Sequence, residues 1–292
     1  MLMDTAQETL LIKEAQNGSL QAIEELICTY KDWLFNFVLR MVGNYHHAED
    51  LSQDILLKIF QKITTFRGES QFKTWLFRIA VNHVLTMKQT EDEKYHKVNQ
   101  NNWADDEYMT NYLQQDVPDN INLPPDMSLM VKETMVKCMM GMLVCLNRRH
   151  RAVYIMGSIL SIDDQTGSKI LEITKDNYRK ILSRSHMRIT NFLNDRCGLI
   201  NPKKPCTCAI AAKVNIHTGY IDPLKTLFHK KKAPEMREMI SDAQHKLDNI
   251  RFEQCQELYR KHPLVESPEF SQQVINILKG NDFQSLLTLG LH

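Results

Sequence analysis

Apolar residues recur every three or four positions along most of this 292-residue chain, and no other feature constrains its fold as much. After Ser19, the first long series comprises Leu20, Ile23, Leu26, Ile27, Tyr30, Leu34, Phe37, Val38 and Met41. This spacing places them on one face of an amphipathic helix, with Ser19 as its N-cap. Gly43 suits the helix end, because glycine adopts positive φ easily. No sustained alternation with a period of two indicates strands, so we predict an all-α fold.

The chain length predicts two or three small domains. Residues 1–87 contain the first helices, including one from about His46 to Lys62 and another capped by Ser70. Residues 88–130 are rich in Asn, Asp, Glu and Gln and contain Pro118, Pro124 and Pro125, a composition typical of a linker. Helical patterns resume near Met127 and define a second helical domain at 131–196 and a C-terminal helical extension at 197–292.

The net charge of +1 conceals a strong partition along the chain. It is −2 over residues 1–87, −6 over 88–130, +6 over 131–196 and +3 over 197–292. An acidic linker followed by a basic block indicates a module that binds a polyanion. No apolar run approaches the roughly 20 residues that a membrane helix needs. The N-terminus does not have the pattern of a secretory signal, and seven unpatterned cysteines favour reduced thiols, so we predict a cytoplasmic protein.

Residues 66–82 combine aromatic rings with positive charge. The rings are those of Phe66, Phe72, Trp75 and Phe77, and the cations are Arg67, Lys73 and Arg78. Stacking of an unpaired base on a ring contributes about 1–3 kcal/mol, so such a segment can hold melted DNA. Helical spacing also allows Phe72, Trp75, Leu76 and Ile79 to form a core face, and we favour that role for these four. Arg67, Lys73, Thr74 and Asn82 lie off that face and are better candidates for DNA contact.

An acidic helix precedes this segment. Its polar residues Glu49, Asp50, Gln53 and Asp54 lie opposite the apolar Leu51 and Ile55. Taken alone, such a pattern is most often a solvated helix face.

Together, the blocks 47–56 and 66–82 closely resemble the polymerase-binding and promoter-melting segments of bacterial sigma factors of the extracytoplasmic-function (ECF) group. The resemblance implies a protein without enzymatic activity that binds core RNA polymerase and promoter DNA, recognises the −10 and −35 elements and promotes melting. It implies that the acidic helix docks on the clamp helices of the largest polymerase subunit. It assigns the −10 element to Phe66, Arg67, Gly68, Glu69, Ser70, Phe72, Lys73, Thr74, Trp75, Arg78 and Asn82. His83, Leu85 and Met87 depart from the more polar or basic residues usual in the family.

Residues 146–189 resemble the helix-turn-helix domain with which these sigma factors read the −35 element. A short helix starting at Asp163 or Asp164 and a turn at 172–175 precede a helix from Asp176, in which Lys180, Arg184 and Arg188 recur every four residues. We assign Asn177, Tyr178, Arg179 and Lys180 to base contacts. Phosphate contacts are assigned to Arg184 and Arg188, and also to Arg148, Arg149 and Arg151. The family pattern is altered at Thr166–Ser168, and by Ser185 in place of alanine.

The segment from Cys197 to Cys208 resembles a Cys-Gly…Asn-Pro…Pro-Cys-x-Cys element in sigma factors with C-terminal extensions. Three thiols, Cys197, Cys206 and Cys208, together with His217 form a candidate four-ligand zinc site. Reduced structural thiols or a redox-sensitive cluster are the alternatives, and promoter recognition itself requires no cofactor.

Two other functions remain open. The first is a helix-turn-helix regulator or polymerase-binding adaptor that does not melt promoters. The second is a zinc-dependent enzyme, which has little support because no His-Glu pair, Ser-His set or phosphate loop accompanies the thiols. The sequence also leaves open whether an anti-sigma factor is a further partner.

Overall fold

The computed structural model describes residues 4–88, 111–113, 127–223, 267–268 and 271–279. Within these ranges the regular elements are helices, and the only pairing of extended backbone is an isolated bridge between Cys197 and Cys206. The predicted all-α fold is confirmed. Most of the predicted linker, and residues 224–266 of the predicted extension, lie outside the described residues. In the described part of the chain, no helix is both long and apolar enough to cross a bilayer.

The described helices are numbered in chain order. They are α1 Thr5–Gln16, α2 Leu20–Val42, α3 Tyr45–Gln61, α4 Phe72–Thr86, α5 Met127–Cys145, α6 Arg148–Tyr154, α7 Asp164–Ile170, α8 Lys175–Arg196, α9 Cys208–His217 and α10 Ser271–Leu278. A 3₁₀ turn spans Ile63–Thr65, and a π turn, Ile155–Ile159, extends α6. The described residues group into two compact units. The first contains residues 4–88, 165–174 and those from 267 onward, and the second contains the others.

In the first unit, α2 packs against α1, α3 and α4. The Ser19 side chain caps α2 by accepting a hydrogen bond from the Ala22 amide at 3.3 Å, as predicted. Gly43 ends the helix with φ of 74°, a conformation that is strained for residues with a Cβ. Asn44 then accepts a hydrogen bond from the His47 amide at 3.1 Å and starts α3 without a further loop. These two ends fix α3, with its acidic face, directly against α2.

The start of α4 differs from the prediction. Ser70 does not cap this helix: its hydroxyl donates to the Gln71 carbonyl at 3.3 Å, and the helix begins at Phe72. Gln71 occupies the N-cap position, and its side chain makes no capping hydrogen bond. The amide end of α4 therefore keeps the partial positive charge of a helix N-terminus, next to the loop that contains Arg67.

The helix α10 packs against α2 and α3 in the first unit. Val274 and Leu278 are completely buried there, whereas Ile277 is 53 % exposed. Just before this helix, the Ser267 amide donates a hydrogen bond to the Asp32 carboxylate of α2 at 3.2 Å. A short part of the predicted extension thus belongs to the core of the first unit.

In the second unit, α5 packs against α9 and α6, and α6 packs against α8. Arg151 joins α5 to α6. Its Nε donates to the Leu143 carbonyl at 2.9 Å, and its Nη2 donates to those of Val144 and Leu146 at 2.7 and 2.8 Å. The guanidinium therefore adds hydrogen bonds to carbonyls at and just after the end of α5, of which that of Leu143 also accepts from the Leu146 amide at 3.0 Å. Because only 2 % of Arg151 is exposed, the prediction that it contacts phosphate was wrong.

Candidate nucleic-acid interface

An aromatic cluster supports the loop that leads into α4. The ring centroids of Phe66, Phe72 and Trp75 lie 5.3–5.5 Å from one another. Phe72 is 2 % exposed and Trp75 is 7 % exposed, in agreement with the core role favoured for them. Phe66 is half-buried, so among these three rings it presents the most surface to a ligand. The cluster holds Phe66 in place from below and leaves part of its ring accessible.

Polar and cationic side chains surround this ring on the solvent side. Arg67, Lys73, Arg78 and Asn82 are exposed, and Thr74 is half-buried, which matches the predicted division of α4 into an apolar and a polar face. The Lys73 ammonium lies 5.2 Å from the centroid of the Trp33 ring, close enough for a cation–π interaction that restricts the lysine. Gly68, at φ of 73°, turns the loop after Arg67.

The loop and α4 border a cleft of about 570 Å³. Phe66, Arg67, Thr74, Trp75 and Arg78 form part of its wall, and so do Lys169 and Ile170 of the 165–174 segment in the same unit. The wall thus combines aromatic surface, hydroxyl groups and guanidinium groups. Such a cleft can accept a flat base whose backbone phosphates contact the arginines.

The acidic residues of α3 face away from the core. Asp50 and Asp54 are exposed, and Glu49 and Gln53 are half-buried, whereas Ile55 on the other side of the helix is completely buried. Leu51, which we predicted to be buried, is only half-buried. The carboxylates are therefore accessible to a basic partner.

His83, one of the departures from the family pattern, connects α4 to α3. Its Nδ1 lies 2.7 Å from the Lys58 ammonium. Burial lowers the pKa of His83, the charge of Lys58 lowers it further, and Asp54 opposes both effects. The neutral imidazole accepts a hydrogen bond from Lys58. The sequence did not predict this contact because the two residues are 25 positions apart.

The cationic stripe of α8 is exposed. Asn177, Arg179, Lys180, Arg184 and Arg188 all lie on the solvent side of the helix, Arg149 is exposed and Arg148 is half-buried. Arg179 forms an ion pair with Asp164 and lies 4.0 Å from Asp176. A phosphate or base that contacts Arg179 therefore competes with two carboxylates. The other side chains of the stripe are oriented as a DNA-contacting helix requires.

Tyr178 is a correction to the predicted −35 interface. This side chain is completely buried, and within the described residues its hydroxyl has no hydrogen-bond partner. Burial raises the pKa of Tyr178, as do the nearby carboxylates of Asp163 and Asp164. A Cβ at Gly157, in the π turn, would lie 3.2 Å from the Tyr178 hydroxyl. The ring packs against this turn and is not accessible to DNA.

Two further side chains of α8 account for a departure from the family pattern. Ser185 is buried, and its hydroxyl donates to the Ile181 carbonyl at 2.8 Å. His186, also buried, places Nε2 2.8 Å from the Ser158 hydroxyl. Serine in place of alanine thus keeps its polar group satisfied within its own helix. Neither hydrogen bond was predicted, because helical spacing alone does not distinguish a buried polar side chain from an exposed one.

The predicted zinc ligands are only partly brought together. Cys197 and Cys206 form the isolated bridge, and Cys208 begins α9. His217 is exposed at the other end of α9, nine residues or about 13.5 Å along the helix axis from Cys208. The four predicted zinc ligands, with His217 among them, are therefore not all close to one another. Within the described residues, no three His, Cys, Asp or Glu side chains are already arranged to hold a metal ion.

Comparison with known proteins identifies part of the first unit. Residues 26–93 match the family model for sigma-70 region 2. The chain is 35% identical over 83 residues to the ECF RNA polymerase sigma factor SigW of Bacillus subtilis, which covers 28% of this chain and 43% of SigW. It is 31% identical over 81 residues to the RNA polymerase sigma-H factor of Pseudomonas aeruginosa, covering 28% and 42% of the two chains.

A third relative is the ECF RNA polymerase sigma-E factor of Escherichia coli K12, 33% identical over 75 residues, with 26% and 39% of the two chains covered. The chain spans about two fifths of the length of each of these relatives. The matched residues include α3, the aromatic loop and α4, which are the elements that form the cleft and the acidic face. Residues 26–93 therefore match a sigma-70 region 2 domain, and this part of the chain is similar to ECF-type RNA polymerase sigma factors.

Proposed function

We propose that this protein is a promoter-specificity factor that binds core RNA polymerase, recognises −10 and −35 elements and stabilises the melted −10 region. One observation supports this most directly. In a region 2 domain, the exposed Arg67, Lys73, Arg78 and Asn82 surround a cleft whose wall includes the partly exposed Phe66. A protein that only bound duplex DNA would not need an aromatic surface at this position.

The melting step requires compensation for lost base stacking. Separating one base-pair step costs about 1.4 kcal/mol on average. Stacking of one base on an aromatic ring returns about 1–3 kcal/mol, and the cations add phosphate contacts. Phe66 is the ring for this role, because Phe72 and Trp75 are buried beneath it. The buried rings position Phe66, and Asn82 lies further along the exposed face of α4, where its amide can read a base edge.

Polymerase binding is assigned to the acidic face of α3. Asp50 and Asp54, with Glu49 and Gln53 beside them, present negative charge and hydrogen-bond acceptors to a basic helical partner. Complementary charges of this kind increase the association rate and fix the orientation of a complex. The proposed partner surface is the clamp helices of the largest polymerase subunit.

Recognition of the −35 element is assigned to α8. Asn177, Arg179 and Lys180 are at the N-terminal end of the helix, where a major-groove helix contacts base edges. Arg184 and Arg188 lie further along it and are assigned to phosphates, together with Arg148 and Arg149.

In vitro transcription with sigma-free bacterial core polymerase and a pooled promoter library tests this proposal. We expect discrete start sites, and permanganate reactivity of thymines in the −10 region should report melting. A Lys73→Ala, Arg78→Ala double variant should reduce that reactivity about tenfold, equivalent to 1.4 kcal/mol, while retaining core binding. The control is Lys13→Ala, because Lys13 is an exposed cation of α1 outside the cleft.

Equal melting by the double variant and the wild type would contradict the role of the cleft. If the wild-type protein bound core polymerase but melted none of the promoters, the adaptor hypothesis would replace the present one. Loss of core binding in the double variant, with normal binding by Lys13→Ala, would move these residues to the polymerase interface.

A further inference from the structure

Four cysteines of the second unit converge from three segments of the chain. Cys138 lies in the middle of α5, Cys197 follows the end of α8, and Cys206 and Cys208 flank the start of α9. Burial raises the pKa of Cys138 well above its usual value, and Cys197, Cys208, Cys206 and, least, Cys145 raise it further. Cys138, Cys197 and Cys206 line one cavity, and Cys208 is two residues from Cys206. Cys138 is 59 residues from Cys197 in sequence, so no local motif indicated it.

Backbone amide groups lie beside two of these thiols. Burial raises the pKa of Cys197, but hydrogen bonds from the backbone amides of Leu199 and Ile200 oppose this. The amide of Cys208 acts in the same way on its own thiol, at the first residue of α9. Burial is the larger effect, so both thiols are neutral without a metal, and metal binding would release their protons.

The loop that bears Cys197 is held against Cys206 at very short range. The Gly198 amide donates to the Cys206 carbonyl at 2.8 Å, beside the bridge between Cys197 and Cys206. A Cβ at Gly198 would come within 2.7 Å of the carbonyl oxygens of both Cys206 and Lys204. Glycine at this position therefore permits the approach that brings the two cysteines together.

A small cavity connects these thiols and contains positive charge. Its volume is about 70 Å³, and Cys138, Cys197 and Cys206 line it together with Lys137 and Arg196. Four thiolates around a divalent cation carry a net charge of −2, and two cations at the same cavity compensate that charge. Lys137 also donates a hydrogen bond to the Tyr220 carbonyl at 2.7 Å, which holds its ammonium at this cavity.

We propose that Cys138, Cys197, Cys206 and Cys208 bind one structural zinc ion, with Cys138 as the fourth ligand in place of His217. Tetrahedral coordination by four thiolates at about 2.3 Å is the usual structural arrangement for zinc. Binding requires the four side chains to turn toward a common point. The ion would tie α5 to the ends of α8 and α9, behind the proposed −35 helix.

Metal content of the full-length protein, purified without chelators, tests the proposal. We expect about one zinc per chain and, after exchange with cobalt, the visible absorption and sulfur-to-metal charge-transfer bands of tetrahedral thiolate coordination. Cys138→Ser should lose the metal. Cys145→Ser is the matched control, since Cys145 is also half-buried and lies seven residues further along α5, and it should retain zinc, as should His217→Ala.

A wild-type protein without zinc that also shows no cobalt absorption would overturn the proposal. If Cys138→Ser retained the metal and His217→Ala lost it, His217 and not Cys138 would be the fourth ligand. A disulfide between Cys197 and Cys206, detected by mass spectrometry of protein alkylated without reduction, would also overturn it. If Cys138→Ser does not fold, zinc K-edge absorption spectroscopy of the wild type decides the question, because four sulfur neighbours support the site and a nitrogen neighbour contradicts it.

Discussion

Adjacent cations in the segment 148–151 have different roles. Arg149 is exposed, whereas two residues later Arg151 is buried and donates to three backbone carbonyls at the end of α5. Leaving buried carbonyls unpaired costs about 1–3 kcal/mol each, so Arg151 contributes to stability through hydrogen bonds that water cannot replace. Charge alone did not predict which arginine is exposed and which is structural. The position of each on the helix relative to the core decides this.

Tyr178 provides a test at the same scale. Replacing it with phenylalanine removes a buried hydroxyl that has no hydrogen-bond partner within the described residues and leaves the ring in place. We expect the free energy of unfolding in urea to stay the same or to rise by about 1 kcal/mol. Affinity for a −35 duplex, measured by fluorescence anisotropy, should be unchanged.

Asn177→Ala is the comparison for this experiment, because Asn177 is the exposed neighbour of Tyr178 on the proposed recognition helix. It should lower the affinity several-fold without changing stability. The opposite pattern, in which Tyr178→Phe lowers affinity and Asn177→Ala does not, would return Tyr178 to the DNA interface.

Between elements, the contact of Lys58 with His83 gives the packing of α3 on α4 a dependence on pH. Burial and the Lys58 charge both disfavour the imidazolium, and the carboxylate of Asp54 only partly offsets them. Protonation of His83 would place two positive charges 2.7 Å apart across this packing surface. The acidic face of α3 and the cationic face of α4 are thus held in register by a contact that requires neutral histidine.

This contact predicts a loss of stability in mild acid. The pKa of His83 in the folded protein is lowered, so in the window between that value and about 6.5 the unfolded chain binds more protons. Stability is therefore fully present above about pH 6.5 and decreases as the pH falls below it. Urea midpoints measured across this range should decline less steeply for His83→Gln than for the wild type.

The control for the pH experiment is His46→Gln, since His46 is exposed at the start of α3. It should follow the wild-type profile. Part of the decline should remain in His83→Gln, because burial and the charges of Arg188 and Arg184 also lower the pKa of His150. Identical profiles for all three proteins would show that the Lys58 contact has no energetic effect.

At the scale of the whole molecule, charge of opposite sign is concentrated in different regions of the chain. The net charge of +6 in residues 131–196 lies largely in the exposed stripe of α8 and the start of α6, whereas the α3 face is acidic. A uniform distribution of the same charges would attract DNA and a basic polymerase surface equally weakly. In the proposed function, this partition would let one nearly neutral chain bind two partners of opposite charge.

Salt dependence measures this partition. Each phosphate contact contributes about one to the slope of log affinity against log salt concentration. For duplex binding, we expect Arg184→Gln, Arg188→Gln to reduce the slope by about two. Lys213→Gln, which removes an exposed cation of α9 in the same unit, should leave it unchanged. An equal reduction by both variants would mean that the net charge of the unit, and not the stripe, binds DNA.

Prediction from sequence succeeded where one local pattern decides the structure. Periodicity located α2, α3 and α5 within one or two residues of their observed starts, and Ser19 and Gly43 end α2 as expected. It failed where a distant part of the chain decides. Tyr178 is buried by the π turn at Gly157, and Cys138 meets Cys197 only through packing of α5. A helical pattern predicts on which face of the helix a residue lies. It does not predict which other part of the protein packs against that face.

The contact of α10 with α2 and α3 has a consequence during protein synthesis. Val274 and Leu278 complete an apolar core whose other side is in place once α3 has been made. Some 210 residues separate the two, which a ribosome adds in about 10–40 s. Throughout that interval the nascent first unit has an uncovered apolar groove beside its acidic helix. The packing of the first unit is therefore complete only after α10 itself has left the ribosome.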